Sequence, residues 1–263
     1  YIVSAIFRRN SVFFRPYGAM WRQALETFDT LFVQNVESKR LLSEIGFDNV
    51  VVAGDTRFDR VAQIAAAAQR VETIERFRGG GRLFVAGSTW GPDEEILLPL
   101  VNANPDVKFV IAPHEMDEGR IAHLMRDAKG GAVRYTQCDA ATRFDDVQVL
   151  VLDTMGMLSS VYGSATWAYV GGGFGVGIHN TLEAATFGLP IAFGPNYGKF
   201  KEARDMVSLG CAVSVRTAGE LAAWFAPLRD DEETLRRASR TAKDYTARNQ
   251  GATGIILRSI FNS

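Results

Sequence analysis

The sequence predicts an α/β protein built on parallel sheet, and three observations carry that prediction. From residue 30 onward, apolar runs of strand length alternate with helical patterns. Each run tends to end in glycine, serine, proline or aspartate, the residues that turn a chain. The runs are continuously apolar rather than alternating, as strands covered on both faces are.

Taken in order, helical periodicity over residues 15–28 leads into an apolar run at 30–34, and a helix at 36–45 into a run at 49–53. An alanine-rich helix at 60–77 follows and ends at Gly79-Gly80-Gly81, a turn or linker because consecutive glycines cost backbone entropy elsewhere. The second half repeats the alternation, with strands at 83–86, 108–112, 147–152, 167–170, 190–193 and 212–215. The intervening helices are expected at 93–101, 118–128, 157–162, 180–187, 201–209 and 218–225, and two more close the chain at 231–248 and 251–261.

Composition narrows the function classes. The chain has 263 residues, which suits one or two domains of about 150 residues. It is 47% hydrophobic and 22% charged, a folded composition rather than a disordered or collagen-like one. Its 29 basic residues nearly balance 30 acids, so no general polyanion-binding field is expected, and nucleic acid is excluded as a partner on charge grounds. Cys138 and Cys211 lack near cysteine neighbours, which argues against a zinc knuckle or a disulfide framework and fits a reducing, cytoplasmic compartment. No apolar run is long enough to cross a bilayer. One local bias stands out: Arg8, Arg9, Arg15 and Arg22 precede the first acid, Glu26, and are interleaved with Phe7, Phe13, Phe14, Tyr17 and Trp21. Such a mixture suits an anionic membrane surface, and it equally suits aromatics that pack against another piece of the same domain.

Three loops in the second half follow strand carboxyl ends: Gly87-Ser88-Thr89-Trp90, Pro113-His114-Glu115, and 153–158 with Met157 and Leu158. In an open parallel sheet, ligands bind outside those ends. Ser88 and Thr89 serve equally as a plain helix cap. A fourth loop, Gly171-Gly172-Gly173-Phe174-Gly175-Val176-Gly177-Ile178-His179-Asn180, runs from a strand through five glycines into a helix. Glycines let backbone amides approach an anion, and the helix amino terminus favours negative charge, so this segment is expected to cradle a phosphate. Glu183 falls on the first helical turn, where it can accept from ribose hydroxyls or, as a capping box, from the backbone of Asn180. The dinucleotide fingerprint and the P-loop are both excluded, because no acid follows at the required offset and no lysine-hydroxyl pair is present. Of the three histidines, His114 and His179 lie on these loops without a carboxylate cluster, a poor metal site, and His123 reads as a helix residue. Asp55, Arg57 and Asp59 read as a solvated, salt-bridged turn between domains.

An ordered set of motifs now emerges. It comprises Gly54-Asp55-Thr56-Arg57-Phe58-Asp59, Gly87-Ser88-Thr89-Trp90 with Glu94-Glu95, Ala112-Pro113-His114-Glu115, Gly171 through Glu183-Ala184-Ala185, and Gly194-Pro195-Asn196 with Phe200. The set resembles the 3-deoxy-D-manno-octulosonic acid (Kdo) transferases of lipopolysaccharide assembly. The resemblance implies a GT-B glycosyltransferase, with residues 1–60 as the tail of an amino-terminal acceptor domain, 61–81 as linker and 82–263 as a Rossmann-like nucleotide domain. It implies inverting transfer of Kdo from CMP-Kdo to a lipid A precursor at the cytoplasmic face of the bacterial inner membrane, with no metal and no cofactor beyond the donor. Gly172, Gly173, Gly177, His179 and Asn180 are expected around the phosphate and sugar, with Glu183 on the ribose. Ser88, Thr89, Pro113, His114, Glu115, Met157 and Leu158 are expected along the nucleotide or donor-sugar side. The family's general base and membrane anchor are expected in an amino-terminal segment absent from this chain, which alone is expected not to turn over.

Two departures stand against the pattern. Many members carry arginine between the proline and histidine of Pro113-His114, so a cation is expected from elsewhere, with Arg120 the candidate. Many have Gly-Glu-Leu where this chain has Gly156-Met157-Leu158, which removes a glutamate contact. A nucleotide-sugar 2-epimerase of the same architecture, or a nucleotide-binding half without turnover, are the alternatives.

Overall fold

A computed structural model describes residues 1–261, in two compact units. The smaller comprises Tyr1–Gln63 together with the chain from Ala247 onward; the larger is Ile64–Thr246.

The smaller unit holds a parallel three-stranded sheet in the order β1 (Ile2–Ala5), β2 (Leu31–Val33), β3 (Val50–Val52). Helices α1 (Ala19–Glu26), α2 (Val36–Ser43) and α3 (Thr56–Ala67) connect or follow these strands. Leu31, Val33, Leu42, Phe47 and Val50 form its core with Phe7, and Phe13 and Phe14 pack on that core. Phe7 meets Phe13 at 5.3 Å, edge to face. Three of the five aromatics named in this segment, Phe7, Phe13 and Phe14, are therefore internal structure. Tyr17, Met20 and Trp21 remain exposed beside it.

The closing helix α12 (Ala252–Phe261) departs from the expected boundaries, which gave it to the nucleotide domain. Its Ile256 is buried with Phe32 and Ala53, with Ile260 packed alongside, so its apolar face completes the smaller sheet's core. Asp59 fixes its start, accepting from the backbone N–H of Gly251 at 2.5 Å and of Thr253 at 2.7 Å. Asp55 is buried and paired with Arg57 at 2.7 Å. The charges read as a solvated, salt-bridged turn thus divide into a helix cap, Asp59, and an ion pair of buried Asp55 with exposed Arg57.

The larger unit is a seven-stranded, all-parallel sheet in the order β10-β9-β8-β4-β5-β7-β6. Its strands are β4 (Leu83–Thr89), β5 (Lys108–Pro113), β6 (Ala132–Arg134), β7 (Val149–Val151), β8 (Trp167–Val170), β9 (Ile191–Phe193) and β10 (Ala212–Ser214). Alternate side chains enter opposite faces. Val85, Val110, Leu150, Ala168 and Ile191 join one buried cluster, whereas Phe84, Ala86, Phe109, Ile111, Trp167 and Tyr169 join the other. Both faces are covered by helices: α4 (Glu72–Arg78), α5 (Gly91–Ala103), α6 (Glu118–Asp127), α7 (Leu158–Tyr162), α8 (Thr181–Thr186), α9 (Lys201–Ser208), α10 (Ala218–Asp230) and α11 (Glu232–Arg248). Strand order reverses between β4 and β8, and the loops at that switch point are the ones singled out by sequence.

Strands β1 and β6 were not anticipated, and the helix expected over 60–77 is two, α3 and α4, with Val71 as N-cap of the second. No helix among the described residues is long and apolar enough to cross a membrane.

Candidate functional site at the switch point

The site begins with a kink. Strand β4 changes register against β5 between Gly87 and Thr89, and Ser88 takes the left-handed region at φ 54°. That conformation costs a residue with a Cβ about 1 kcal/mol or more. Gly171, at the end of β8, lies directly against the kink: a Cβ there would stand 2.2 Å from the Ser88 carbonyl oxygen. Gly173 is as tightly confined, because a Cβ would meet Gly194 backbone at 2.6 Å. Gly172 and Gly177, at φ 90° and 141°, occupy conformations that side chains resist. Four of the loop's five glycines are therefore required by close approach or by backbone conformation, before any ligand is considered.

Asp93, on the first turn of α5, organises this ground. It is fully buried; its Oδ2 accepts from the N–H of Trp90 (2.9 Å) and of Gly172 (3.0 Å), and its Oδ1 from the Tyr169 hydroxyl (2.7 Å). One carboxylate thus ties the β4 kink, strand β8 and the glycine loop together. The N-cap of α5 is Trp90, not Ser88 or Thr89. Thr89 is fully buried and its hydroxyl donates to Glu94 at 2.9 Å, so it braces the loop rather than facing a ligand.

Arg120 was the candidate replacement cation, and the structure commits it elsewhere. Its Nη2 donates to buried Glu94 at 2.6 Å and to the Thr89 carbonyl at 3.2 Å. A cation that sequence reasoning passed over lies nearer the glycines. Lys199 donates to the Val176 carbonyl at 2.7 Å, and a Cβ on Gly177 would stand 2.9 Å from its Cε. Asn196 completes the clamp, its N–H donating to Gly173 O (2.8 Å) and its side-chain amide to Gly175 O (2.7 Å).

Three rings meet at the mouth of the loop. The Trp90 indole N–H donates to Nε2 of His179 at 3.2 Å, and the His114 ring stacks on both, 4.8 Å from Trp90 and 4.3 Å from His179. Burial pushes the His179 pKa down, and His114 adds to this; Asp93 opposes it. The imidazole is accordingly held toward its neutral form.

At the start of α8, Asn180 is the N-cap, its Oδ1 accepting from Leu182 N at 3.2 Å. The expected reciprocal bond from Glu183 to the Asn180 backbone is replaced by a side-chain one. Glu183 accepts from the Asn180 amide at 3.0 Å and from the Ser159 hydroxyl at 2.9 Å. Ser159 sits on α7, so Glu183 joins two helices and presents a carboxylate of fixed orientation.

The structure thus gathers Ser88, Pro113, His114, Gly172, Gly173, Gly177, His179, Asn180 and Glu183 along the carboxyl ends of β4, β5 and β8. Leu158 lies against Gly87, where a Cβ would stand 2.7 Å from its Cδ2. Met157 caps α7, its sulfur accepting from the Thr154 hydroxyl at 3.2 Å. Glu115, next to His114 in the chain, is exposed. Asp93, Trp90, Ser159 and Lys199 are the members not read from sequence as site residues. Among the described residues, no group of three or more histidines, cysteines, aspartates or glutamates is placed to hold a metal.

No protein-family model matches the chain. It is 26% identical to the 3-deoxy-D-manno-octulosonic acid transferase of Bordetella pertussis, over 98% of this chain and 62% of that protein. It is 23% identical to the transferase of Rickettsia felis, over 75% of this chain and 43% of the relative. The chain therefore spans only part of the length of these curated relatives. Among solved structures it matches the C-terminal CMP-Kdo binding domain of WaaA from Acinetobacter baumannii, with a TM-score of 0.52 at 20% identity, covering 70% of this chain and 96% of that domain. It also matches a UDP-N-acetylglucosamine 2-epimerase, with a TM-score of 0.64 at 12% identity, covering 99% of this chain and 65% of the enzyme. The structural likenesses establish the GT-B fold, and the sequence similarity over nearly the whole chain makes it a relative of the 3-deoxy-D-manno-octulosonic acid transferases.

Proposed function

We propose that this chain is the donor-holding part of a Kdo transferase, binding CMP-Kdo at the β4–β8 switch point for inverting transfer to a lipid A precursor at the cytoplasmic face of the inner membrane. The observation that carries the reading is the built arrangement at α8. A glycine loop that backbone packing requires runs into a capped helix, and Glu183 is held by two neighbours beside it.

The chemistry follows from these groups. When the bond from Kdo to CMP breaks, negative charge grows on the departing phosphate. Backbone amides of the loop, the partial positive charge of the helix start and Lys199 stabilise that charge where it develops. Glu183 accepts from ribose hydroxyls and orients the nucleotide. CMP carries a single phosphate, so the charge to be neutralised is smaller than for a diphosphate donor, and no metal is invoked. None of the crevice side chains is assigned the role of general base toward the acceptor hydroxyl, and transfer by this chain alone is expected to fail.

The test is ligand-dependent stability. A ligand at 100 times its dissociation constant adds about 2.7 kcal/mol to the unit that binds it. CMP is expected to raise the melting temperature and to bind more tightly than UDP in calorimetry. Tighter binding of UDP would favour the epimerase reading, which the fold likeness over 99% of the chain keeps in play. Binding of neither would overturn both.

A further inference from the structure

The Trp90 indole N–H can only donate, so the nitrogen it meets, Nε2 of His179 at 3.2 Å, must be the unprotonated acceptor. A neutral imidazole whose Nε2 accepts carries its proton on Nδ1. Everything packed on this ring supports the same state. His114 lies face to face with it at 4.3 Å, within 28° of parallel, so a proton on both rings would stack two positive charges. The Nε2 edge also abuts the glycine loop, since a Cβ on Gly172 would stand 3.1 Å from Nε2 and 2.9 Å from Cδ2. Asp93 is the charged group that opposes this, and its oxygens are already occupied by Tyr169, Trp90 and Gly172. Trp90 itself is fixed twice: its backbone N–H is bound by Asp93, and the Arg120 guanidinium lies 6.0 Å from its ring centroid.

We propose that Trp90 is a positioning residue that locks His179 as the neutral Nδ1–H tautomer, with His114 as the cover over their hydrogen bond, so that the ring meets the nucleotide phosphate as a fixed donor. The proposal rests on the nucleotide reading of the crevice for its last clause only. Trp90 acts through His179 and needs no contact with the ligand. An imidazole left to itself favours the proton on Nε2, the opposite arrangement, and becomes charged near pH 6.5. The indole thus reverses the ring's own tautomer preference, while burial and His114 hold the ring toward its neutral form.

The test compares the chain with Trp90→Phe, which keeps an aromatic ring in the stack and deletes the N–H. Nitrogen chemical shifts of labelled histidine, assigned with His114→Gln and His123→Gln, report the tautomer and titration of His179 directly. In the unaltered chain Nε2 is expected to be of the unprotonated type at pH 7.5, with a titration midpoint below that of a free imidazole. In Trp90→Phe the Nε2–H form is expected to dominate, and the midpoint to move up toward 6.5. If the competent tautomer falls to about one-fifth of the neutral population, CMP affinity at pH 7.5 falls about fivefold, because apparent affinity scales with the competent fraction. An Nε2–H tautomer in the unaltered chain overturns the lock even if Trp90→Phe fails to fold. A changed tautomer with unchanged CMP affinity overturns its service to the ligand. Absence of CMP binding by the unaltered chain would overturn the functional reading, and with it that last clause, while the nitrogen shifts still decide the lock.

Discussion

Replacing Asp93 tests whether one carboxylate holds the switch point together. Asp93→Ala removes the acceptor for three donors: the Tyr169 hydroxyl and the backbone N–H groups of Trp90 and Gly172. Each sits in a region where Asp93 itself is fully buried. A buried donor left without a partner costs about 1–3 kcal/mol, and water entering the space relieves part of this, so the loss is expected at about 3–6 kcal/mol. Measured against a typical total of about 5–15 kcal/mol, such a loss threatens the larger unit as a whole. Asp93→Asn should be milder. Its one oxygen can take the position of Oδ2, which accepts from both backbone N–H groups, while its amide donates to the Tyr169 oxygen. The charge and the acceptor for the Tyr169 hydroxyl hydrogen are lost, at about 1–3 kcal/mol. Urea denaturation followed by circular dichroism measures the stabilities, and hydrogen exchange at the Gly172 and Trp90 amides localises the effect to this site. A folded Asp93→Ala chain that loses under about 1 kcal/mol, with unchanged exchange at Gly172, would refute the bracing role.

Further outcomes are expected. Glu183→Ala should weaken CMP binding by about 1–3 kcal/mol in calorimetry, with melting followed in parallel because Glu183 also bonds Ser159 and Asn180; unchanged affinity in a folded variant would move the ribose contact elsewhere. Thr181 carries a buried hydroxyl without a partner, so Thr181→Val, of nearly the same shape, should raise stability by about 1 kcal/mol, and a loss of that size would show that the hydroxyl is used. Burial pushes the Asp59 carboxyl up, but the N–H groups of Gly251 and Thr253 outweigh it and hold the pKa below its ordinary 3.8. A depressed carboxyl contributes its stability above the unfolded value and loses it as pH falls through the folded one. Exchange protection of α12 should therefore decline in acid below about pH 4, and Asp59→Asn should flatten that dependence.

The central strands of the larger sheet were legible because burial on both faces demands unbroken apolar runs. The two missed strands lie at edges: Ile2–Ala5 is mostly half-exposed with Ser4 at φ 55°, and Ala132–Arg134 is half-buried throughout, so neither needed such a run. The helix expected over 60–77 looked continuous because alanines hide the break; residues 68–71 leave the helical conformation, and Val71 is extended as N-cap of the second half. At the site, the glycine loop announced itself by composition. Asp93 did not, since an acid in Pro92-Asp93-Glu94-Glu95 reads as an ordinary first-turn charge until the fold brings Tyr169 and Gly172 to it from 76 and 79 residues away. Lys199 was overlooked for a similar reason: nothing in its neighbourhood distinguishes it from a surface lysine except the approach of Gly177. Arg120 is the converse case, a cation on α6 whose Nη2 pairs with the buried carboxylate of Glu94, a partner its neighbours in sequence do not reveal.

The return of α12 to the smaller unit bears on how the chain is made. A ribosome delivers β1 to α3 before the larger unit and α12 only after the whole of it, yet Asp59 waits for Gly251 across 192 residues. During that interval the early sheet lacks the helix that buries Phe32 and Ala53 with Ile256, while the larger unit has all its strands in one continuous stretch. Domains fold as units once they have emerged. Of the two units, the one whose synthesis starts earlier is thus finished later, and its unsatisfied apolar face stays open to chaperones or to other nascent chains in the interval.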